Sequence, residues 1–294
     1  MKRTLYIITP CHLQLSEGYL IYTHKEDQTR KECPINELAY LILAHTHISL
    51  TQALLTALAE AKVAVITCDA KHLPYALTLP LRGHYLQSER ARAQVALTEA
   101  QKGHLWAQIV RAKIQNQMAV LQKTSSRGVT YLKQLLSKSN TNNPEAKEAQ
   151  AARWYWTKLF GADFQRTRYG DPPNAALNYG YALIRTAMAR ALASQGLILS
   201  VGFHHHNRYN AFCLVDDMME PYRPFVDLFV WQHHQKSPYS KALTKSQREE
   251  LLLLLHESHK DSSTFVLFQA IERTAITLVS TLQERRKRIN WKKL

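Results

Sequence analysis

The sequence predicts an α+β protein in which a small N-terminal, mostly β domain precedes a larger all-α domain. Short runs rich in Ile, Val, Leu and Tyr fill about the first 80 residues, and apolar residues at helical intervals follow. The charge also changes, since residues 1–84 carry 8 Lys/Arg and 7 Asp/Glu, whereas residues 85–294 carry 30 and 16. We therefore place the domain boundary after residue 84.

The first domain is expected to contain several strands and one helix. The segment Ser49–Ala61 has helical spacing, and Ser49 is a candidate N-cap. Pro10 closes the first β-rich run. Strands are expected at Leu5–Thr9, His12–Leu15, Gly18–Thr23, Ile35–Leu43, Val63–Cys68 and Leu73–Leu81.

The second domain is expected to be helical. Gly103 is predicted to separate two helices, and the polar segment Ser139–Pro144 is a helix-start signal. Helices are expected from about Leu86 to Lys123 and at Val129–Ser137, Glu145–Phe160, Ala175–Ser194, Thr244–His256 and Ser263–Arg288.

The basic excess lies almost entirely in the second domain. The chain has a net charge of +15, of which residues 85–294 carry +14. Such an excess is typical of a polyanion partner such as nucleic acid, and a solvated basic surface is the simpler alternative. The last ten residues, Arg285–Leu294, include six basic ones and form either an ordered helix end or a flexible arm on DNA.

The composition favours a cytoplasmic protein without a membrane partner. No run of about 18 apolar residues is present, and the apolar stretch Leu5–Ile8 is too short for a secretory signal. The four cysteines, Cys11, Cys33, Cys68 and Cys213, lack C-x-x-C spacing and are expected to be reduced.

Residues 202–227, GFHHHNRYNAFCLVDDMMEPYRPFVD, contain the strongest functional signal. Three consecutive histidines precede an acidic segment, in which Asp217 and Glu220 lie on one face of a helix because they are three residues apart. Pro221 suits the first turn of a helix and would kink a helix interior. An imidazole and two carboxylates are the ligand types of a divalent-metal site.

Three blocks in this order resemble the CRISPR-associated DNA integrase family, the larger of the two proteins that capture new spacers. They are Glu148–Phe160 (EAQAARWYWTKLF), Asn174–Leu183 (NAALNYGYAL) and Gly202–Asp227, and Gln108–Gln117 resembles that family's first helix of the C-terminal domain. Details such as GFHH and DMMEPYRP resemble the branch found beside single-protein effector nucleases. The resemblance implies a β domain through which two copies dimerise, followed by a helical catalytic domain.

The resemblance also implies the site and its partners. Glu148, His205 and Glu220 correspond to the catalytic metal ligands for Mg²⁺ or Mn²⁺, and Asp217 to a nearby auxiliary acid. The implied reaction is attack by a DNA 3′-hydroxyl on a phosphodiester of the repeat array. The implied partners are double-stranded DNA, a second copy of the chain, and a small ferredoxin-like adaptation protein that bridges two dimers. Candidate DNA contacts are Arg153, Lys158, Arg166, Arg168, Tyr169, Arg185, Arg190 and Arg223.

Other interpretations stay open at the level of sequence. One is a structure-selective DNA repair nuclease that uses the same site, and another is a non-catalytic DNA-binding scaffold with structural acids. Glu148 has Arg153 as an alternative partner on its helix, and His204 or His206 could replace His205 because the three are consecutive. A zinc hydrolase is disfavoured because the H-E-x-x-H spacing is missing.

Overall fold

The structure is a computed structural model of the 294-residue chain. It describes residues 3–70, 72, 74–80, 84–124, 128–137, 144–255, 267–283 and 288–294. The chain divides into two units, Met1–Tyr85 and Leu86–Leu294. The first unit is β-rich and the second is mostly helical, which confirms the predicted fold class.

Within its described residues, the first unit has two four-stranded sheets and one α-helix. One sheet has the order β1-β5-β7-β8, with only β8 antiparallel, and the other has the order β4-β3-β2-β6. All residues of β5 are buried, as expected for a central parallel strand covered on both faces. The elements are β1 Arg3–Ile7, β2 Cys11–Ser16, β3 Tyr19–His24, β4 Arg30–Pro34, β5 Leu38–Leu43, β6 Ile48–Leu50, α1 Gln52–Glu60, β7 Ala64–Cys68 and β8 Pro74–Thr78.

Both sheets and α1 contribute to one hydrophobic core, which includes Leu13, Leu41, Leu54 and Val65. Two details of the predicted β domain were wrong. Ser49 does not cap α1, because it lies in β6, and the cap is Thr51, whose Oγ1 accepts from Leu54 N over 3.3 Å. The strand β4 was not predicted, because its mostly exposed, charged sequence lacks an apolar pattern.

The second unit is built on two long helices. α3 contacts α4, α5 and α8, and α6 contacts α7, α8, α9 and α10. The 3-10 turn Glu220–Tyr222 connects α7 to α8, and the 3-10 turn Leu253–Leu255 extends α9. The helices are α2 Gln87–Val95, α3 Glu99–Thr124, α4 Val129–Ser137, α5 Pro144–Leu159, α6 Asn174–Ser194, α7 Cys213–Met219, α8 Arg223–Lys236, α9 Lys245–Leu252 and α10 Leu267–Leu282.

The predicted break at Gly103 was wrong. Gly103 lies inside α3, and α2 ends at Val95, before the short segment that leads into α3 at Glu99. The helix α8 was not predicted, because residues 223–236 were considered only as the end of the acidic segment. Pro221 lies in the 3-10 turn between α7 and α8. Because proline has no backbone N–H, it cannot donate the hydrogen bond that a continuous α-helix would need at this position.

The described part of the C-terminal segment packs against the helical unit. Asn116 on α3 donates to Lys292 O over 3.0 Å and accepts from Leu294 N over 3.2 Å. Ile289 is buried, so these residues are ordered against α3, and residues 284–287 lie outside the described structure. The four cysteines are unpaired. In the described ranges, no helix has the length and apolar content needed to cross a bilayer.

Candidate active site

A partly buried lysine contacts two glutamates that lie far apart in the sequence. Lys113 lies on α3, Glu148 on α5, and Glu220 in the 3-10 turn before α8. The Lys113 Nζ is 2.5 Å from Glu148 Oε1 and 2.5 Å from Glu220 Oε2. A second cation, Arg223, donates from Nε to Glu220 Oε1 over 2.7 Å. The fold thus brings two carboxylates and two cationic side chains into one cluster.

The charges in this cluster keep Glu220 ionised. Burial by itself raises the pKa of the Glu220 carboxyl, but Arg223 and Lys113 outweigh that effect and lower the pKa to about 2. Burial likewise lowers the pKa of Lys113, and Glu220 and Glu148 outweigh it, so that this pKa lies above its ordinary value. At neutral pH the cluster therefore holds anionic oxygens against a cation.

One oxygen of the cluster is paired with the lysine. Glu220 Oε2 is buried and lies 2.5 Å from the Lys113 Nζ, a charge-assisted contact that helps to lower the pKa of Glu220. A carboxylate oxygen has two lone pairs, so one cation does not use all of its capacity to bind.

Asp217 organises the loop that carries the three histidines. Its buried carboxylate accepts hydrogen bonds from the backbone N–H groups of Phe203 at 2.6 Å, His204 at 3.0 Å and His205 at 3.2 Å. Gly202 is needed at the start of this loop, because a Cβ there would lie 2.5 Å from His205 O and 2.8 Å from Asp217 Oδ2. The loop is thus wrapped around one acid.

Asp217 also orients one imidazole. His205 Nδ1 lies 2.6 Å from Asp217 Oδ1, and because a carboxylate only accepts, Nδ1 carries the proton and donates. In the neutral ring Nε2 then has the free lone pair, as in histidines that bind metals or accept protons. The hydrogen bond with Asp217 raises the pKa of His205 in spite of partial burial, and the charge of Glu220 acts in the same direction.

The neighbouring histidines have different surroundings. His204 stacks on Trp106 with ring centroids 4.2 Å apart, and its Nδ1 lies 3.4 Å from Glu145 Oε1. His206 is exposed, and its Nδ1 lies 2.7 Å from His204 O. His205 is the member of the triplet whose ring contacts Asp217 and whose charge lowers the pKa of Glu220.

The structure therefore brings Glu148, Glu220 and His205 into one region. No three His, Cys, Asp or Glu side chains within the described ranges lie at the spacing of a metal site. The nitrogen of Lys113 lies instead between the two carboxylates. The donor set itself fits a divalent cation, because it includes two carboxylates and an imidazole whose neutral form has a free lone pair. The ligand roles stay a prediction.

The residues predicted to contact DNA fall into two groups. Arg153, Arg168 and Tyr169 are exposed, and Lys158 is partly exposed with its Nζ 4.4 Å from the centroid of the Trp154 ring. The others bind protein groups: Arg166 binds Asn174 and Asn178, Arg185 binds Asp216, Arg190 binds Glu272, and Arg223 binds Glu220. DNA contact stays a prediction for all of them.

Lys113 is the site residue that sequence reasoning missed. The buried face of α3 includes Trp106, Ile109, Val110 and Gln117, and Lys113 falls on the same helical stripe. A lysine on an apolar stripe signals a buried partner, because lysine is almost never fully buried unless it is paired. That signal was present in the block Gln108–Gln117.

The fold and the site together define a class: α+β proteins whose helical unit brings two carboxylates and a histidine into one region beside a lysine. The chain belongs to the CRISPR-associated Cas1 family, because the family model described as "CRISPR associated protein Cas1" matches residues 5–263. A CRISPR-associated endonuclease Cas1 from Neisseria meningitidis serogroup C (strain 8013) is 35% identical over 224 residues, which cover 76% of this chain and 73% of the relative. The resemblance inferred from the sequence blocks is confirmed.

Solved structures share the whole fold. A casposase bound to an integration product matches with a TM-score of 0.78 and 19% identity, over 99% of this chain and 93% of the casposase chain. A chain of a Cas6-RT-Cas1–Cas2 complex matches with a TM-score of 0.75 and 20% identity, over 100% of this chain and 36% of that chain. At these identities the matches establish the common fold.

Proposed function

We propose that this chain is a metal-dependent DNA integrase and endonuclease of CRISPR adaptation, which joins 3′-hydroxyl ends of captured DNA to a repeat array. The observation that carries the proposal is the convergence of Glu148 and Glu220, from separate helices, on one cation position, with His205 held nearby by Asp217. Membership of the Cas1 family supports the same reaction class. The integration product bound to the casposase of similar fold is consistent with it.

The proposed reaction exchanges one phosphodiester for another. The 3′-oxygen of the captured end forms a bond to phosphorus, and the bond from phosphorus to the 3′-oxygen of the repeat strand breaks. The attacking hydroxyl loses a proton and the leaving oxygen gains one, so the reaction needs no oxidant and no covalent enzyme intermediate. With water as the attacking group, the same site would cleave DNA, which accounts for endonuclease activity.

We assign Glu148, Glu220 and His205 Nε2 as the groups that would hold Mg²⁺ or Mn²⁺. A bound ion of this kind polarises the phosphorus–oxygen bond and neutralises charge on the phosphoryl oxygens. The chain prepares these groups in advance. Asp217 keeps His205 in one tautomer and orientation, and Arg223 keeps the buried Glu220 ionised.

The proposed partners are double-stranded DNA, a second copy of this chain, and a small ferredoxin-like adaptation protein that bridges two dimers. The excess charge of +14 in residues 85–294 supports DNA binding, and the exposed Arg153 and Arg168 are the leading contacts. Phosphate contacts make such binding sensitive to salt. The fold shared with a chain of a Cas6-RT-Cas1–Cas2 complex is consistent with a two-protein assembly. We place dimerisation in the β-rich unit.

The test is half-site integration of a labelled DNA duplex into a repeat-containing plasmid, with Mn²⁺ and the small partner present. Wild-type protein is compared with His205→Ala and with His206→Ala, a matched control from the same loop. We expect joining by wild type and H206A. We expect H205A to lose about 100-fold or more, since losing a group that merely orients a metal ligand already costs about 10–100-fold.

Other outcomes would favour a different metal ligand or a different function. Joining by H205A but not by H206A would move the histidine ligand to His206. No joining by wild type, with cleavage of branched DNA, would favour the repair nuclease. If Glu148→Ala and Glu220→Ala changed none of the measured activities, the acids would be structural and the scaffold would be favoured. Removal of the metal with EDTA is expected to stop joining in the active proteins.

A further inference from the structure

Lys113 occupies the position between the two glutamates to which the proposed function assigns a metal ion. Its Nζ lies 2.5 Å from an oxygen of Glu148 on α5 and 2.5 Å from an oxygen of Glu220 at the start of the 3-10 turn. The side chains are 12% exposed for Lys113, 22% for Glu148 and 6% for Glu220. The contact is therefore largely shielded from water, and its charges interact strongly.

The cluster is already neutral without a metal. Glu148 and Glu220 contribute two negative charges, and Lys113 and Arg223 contribute two positive ones. Without the lysine, two carboxylates would face each other in a buried place, and like charges at such a distance repel or force one group to take up a proton. Lys113 thus stabilises a pair of carboxylates that would otherwise separate.

A divalent ion and the lysine cannot share this position. Mg²⁺ binds oxygen ligands at about 2.0–2.1 Å, which is close to the 2.5 Å that separates each carboxylate oxygen from the Lys113 Nζ. An ion held by the same two oxygens would therefore overlap the ammonium and repel it. The lysine has a flexible four-carbon stem, so the ammonium can move while α3 stays in place.

We propose that Lys113 is an internal counter-cation, which holds Glu148 and Glu220 together in the metal-free protein and is displaced when Mg²⁺ or Mn²⁺ binds. This inference rests on the proposed metal site. Lys113 is a positioning residue: it keeps the two ligands close to each other before loading and sets the affinity for the ion, since each bound ion must displace it.

The first experiment measures Mn²⁺ affinity by isothermal titration, without DNA. It compares wild type with Lys113→Met, which keeps the length of the side chain and removes its charge, and with Lys102→Met. Lys102 is a control on the same helix, paired with Glu99 near the surface. We expect K113M to bind Mn²⁺ about tenfold more tightly or better, because a unit charge a few ångströms from the ion is removed. K102M should bind like wild type.

The same variants are unfolded thermally in EDTA and in Mn²⁺. In EDTA, K113M should have a lower melting temperature than wild type, because the facing carboxylates lack their counter-charge. Addition of Mn²⁺ should raise the melting temperature of K113M by more than it raises that of wild type. Lys113→Arg, which restores a cation, should recover stability in EDTA. Equal or weaker Mn²⁺ binding by a folded K113M would overturn the proposal.

A second measurement uses the wild-type protein, so that it does not depend on a variant that folds. Acylation of lysines by an N-hydroxysuccinimide ester is followed by mass spectrometry with and without Mn²⁺. Displacement predicts that labelling of Lys113 rises several-fold on addition of Mn²⁺, whereas labelling of Lys102 is unchanged. Unchanged or reduced labelling of Lys113 at saturating Mn²⁺ would overturn the proposal.

Neither measurement uses strand joining, so the two proposals can fail separately. If Mn²⁺ displaces Lys113 but joining never occurs, the counter-cation stands and the integrase function fails. If Glu148→Gln and Glu220→Gln bind Mn²⁺ like wild type, the proposed metal site is wrong and the counter-cation is wrong with it.

Discussion

Two buried carboxylates on the continuous stretch from α7 to α8 have pKa values that are shifted in opposite directions. Glu220 is 5% exposed and Asp227 is 1% exposed, so burial favours the neutral form of each. Even so, the pKa of Glu220 is lowered to about 2, because Arg223 and Lys113 overcome the effect of burial. The pKa of Asp227 is raised by burial to about 7.

The difference lies in the partners. Glu220 contacts two cations directly, whereas Asp227 accepts hydrogen bonds from neutral hydroxyls, from Tyr155 at 3.0 Å and from Tyr181 at a shorter distance. The charges of Arg166 and Arg223 lower the pKa of Asp227 by less than these hydrogen bonds do. Hydroxyls lower the pKa of a buried acid only partly, and cations can reverse the effect of burial. An ionised acid held against a cation is suited to exchange that cation. An acid surrounded by tyrosines at the junction of α5, α6 and α8 is suited to packing.

The largest expected effect comes from removing the charge of Glu220. Glu220→Gln keeps the shape of the side chain but leaves the partly buried Lys113 and Arg223 without this counter-charge. We expect the free energy of unfolding in EDTA to fall by about 3–5 kcal/mol, the usual range for breaking a buried ion pair. Chemical denaturation at pH 7.5 measures it.

The control is Glu99→Gln, which breaks an ion pair between exposed Glu99 and Lys102 on α3. It should change the unfolding free energy by less than about 1 kcal/mol, as surface pairs usually do. A comparable effect of the two substitutions would mean that the buried cluster is no more strongly coupled than a surface pair.

The second prediction concerns the pH dependence that Asp227 gives to stability. Its pKa in the folded protein, about 7, lies above the ordinary value of an aspartate, so the folded state holds the proton more tightly than the unfolded state. The stabilisation is present at low pH and is lost as the pH rises. The slope is about 1.4 kcal/mol per pH unit between the ordinary pKa, about 4, and the folded pKa.

Asp227→Asn removes this titration. The unfolding free energy of D227N minus that of wild type should therefore increase by about 2–3 kcal/mol from pH 5 to pH 7. At higher pH this difference should level off. Urea denaturation at several pH values measures both proteins, and contributions from other groups such as His205 cancel in the difference. A constant difference across this range would show that Asp227 is ionised throughout it.

The sequence predicted the fold class and the family of this protein. The change from period-two strands to helical spacing predicted the fold class, because each element shows its own periodicity. The distinctive blocks around Glu148, His205 and Glu220 predicted the family. The structure then placed these three residues in one region and distinguished His205 from its neighbours through the contact with Asp217.

The electrostatic partners could not be predicted in the same way. Periodicity places Lys113 on the buried face of α3, but it does not show which acids from distant helices meet it there. The cluster of Asp227, Tyr155 and Tyr181 joins α8 to α5 and α6. Gly180 allows close packing in this region, since a Cβ on it would clash with Val226 Cγ1. Such contacts depend on how helices pack, which local sequence does not determine.

The smallest expected effect sharpens the comparison within the tyrosine cluster. Tyr155→Phe removes one hydroxyl that donates to Asp227 Oδ2 and keeps the buried ring. Losing one hydrogen bond of this kind costs about 1 kcal/mol. Because that hydroxyl lowers the pKa of Asp227, its loss should raise this pKa above its wild-type value of about 7. The cost should then be larger at pH 8, where the wild-type carboxylate is ionised, than at pH 5, where it is protonated.

Urea denaturation of Y155F at both pH values tests this, with Tyr169→Phe as a control, since Tyr169 is 83% exposed. Y169F should match wild type within about 0.5 kcal/mol at both values, as surface substitutions usually do. If Y155F loses the same unfolding free energy at pH 5 and pH 8, the Tyr155 hydroxyl does not affect the ionisation of Asp227. A cost that grows with pH would show that hydroxyl donors hold this acid near its titration point, whereas cations hold Glu220 far from its own.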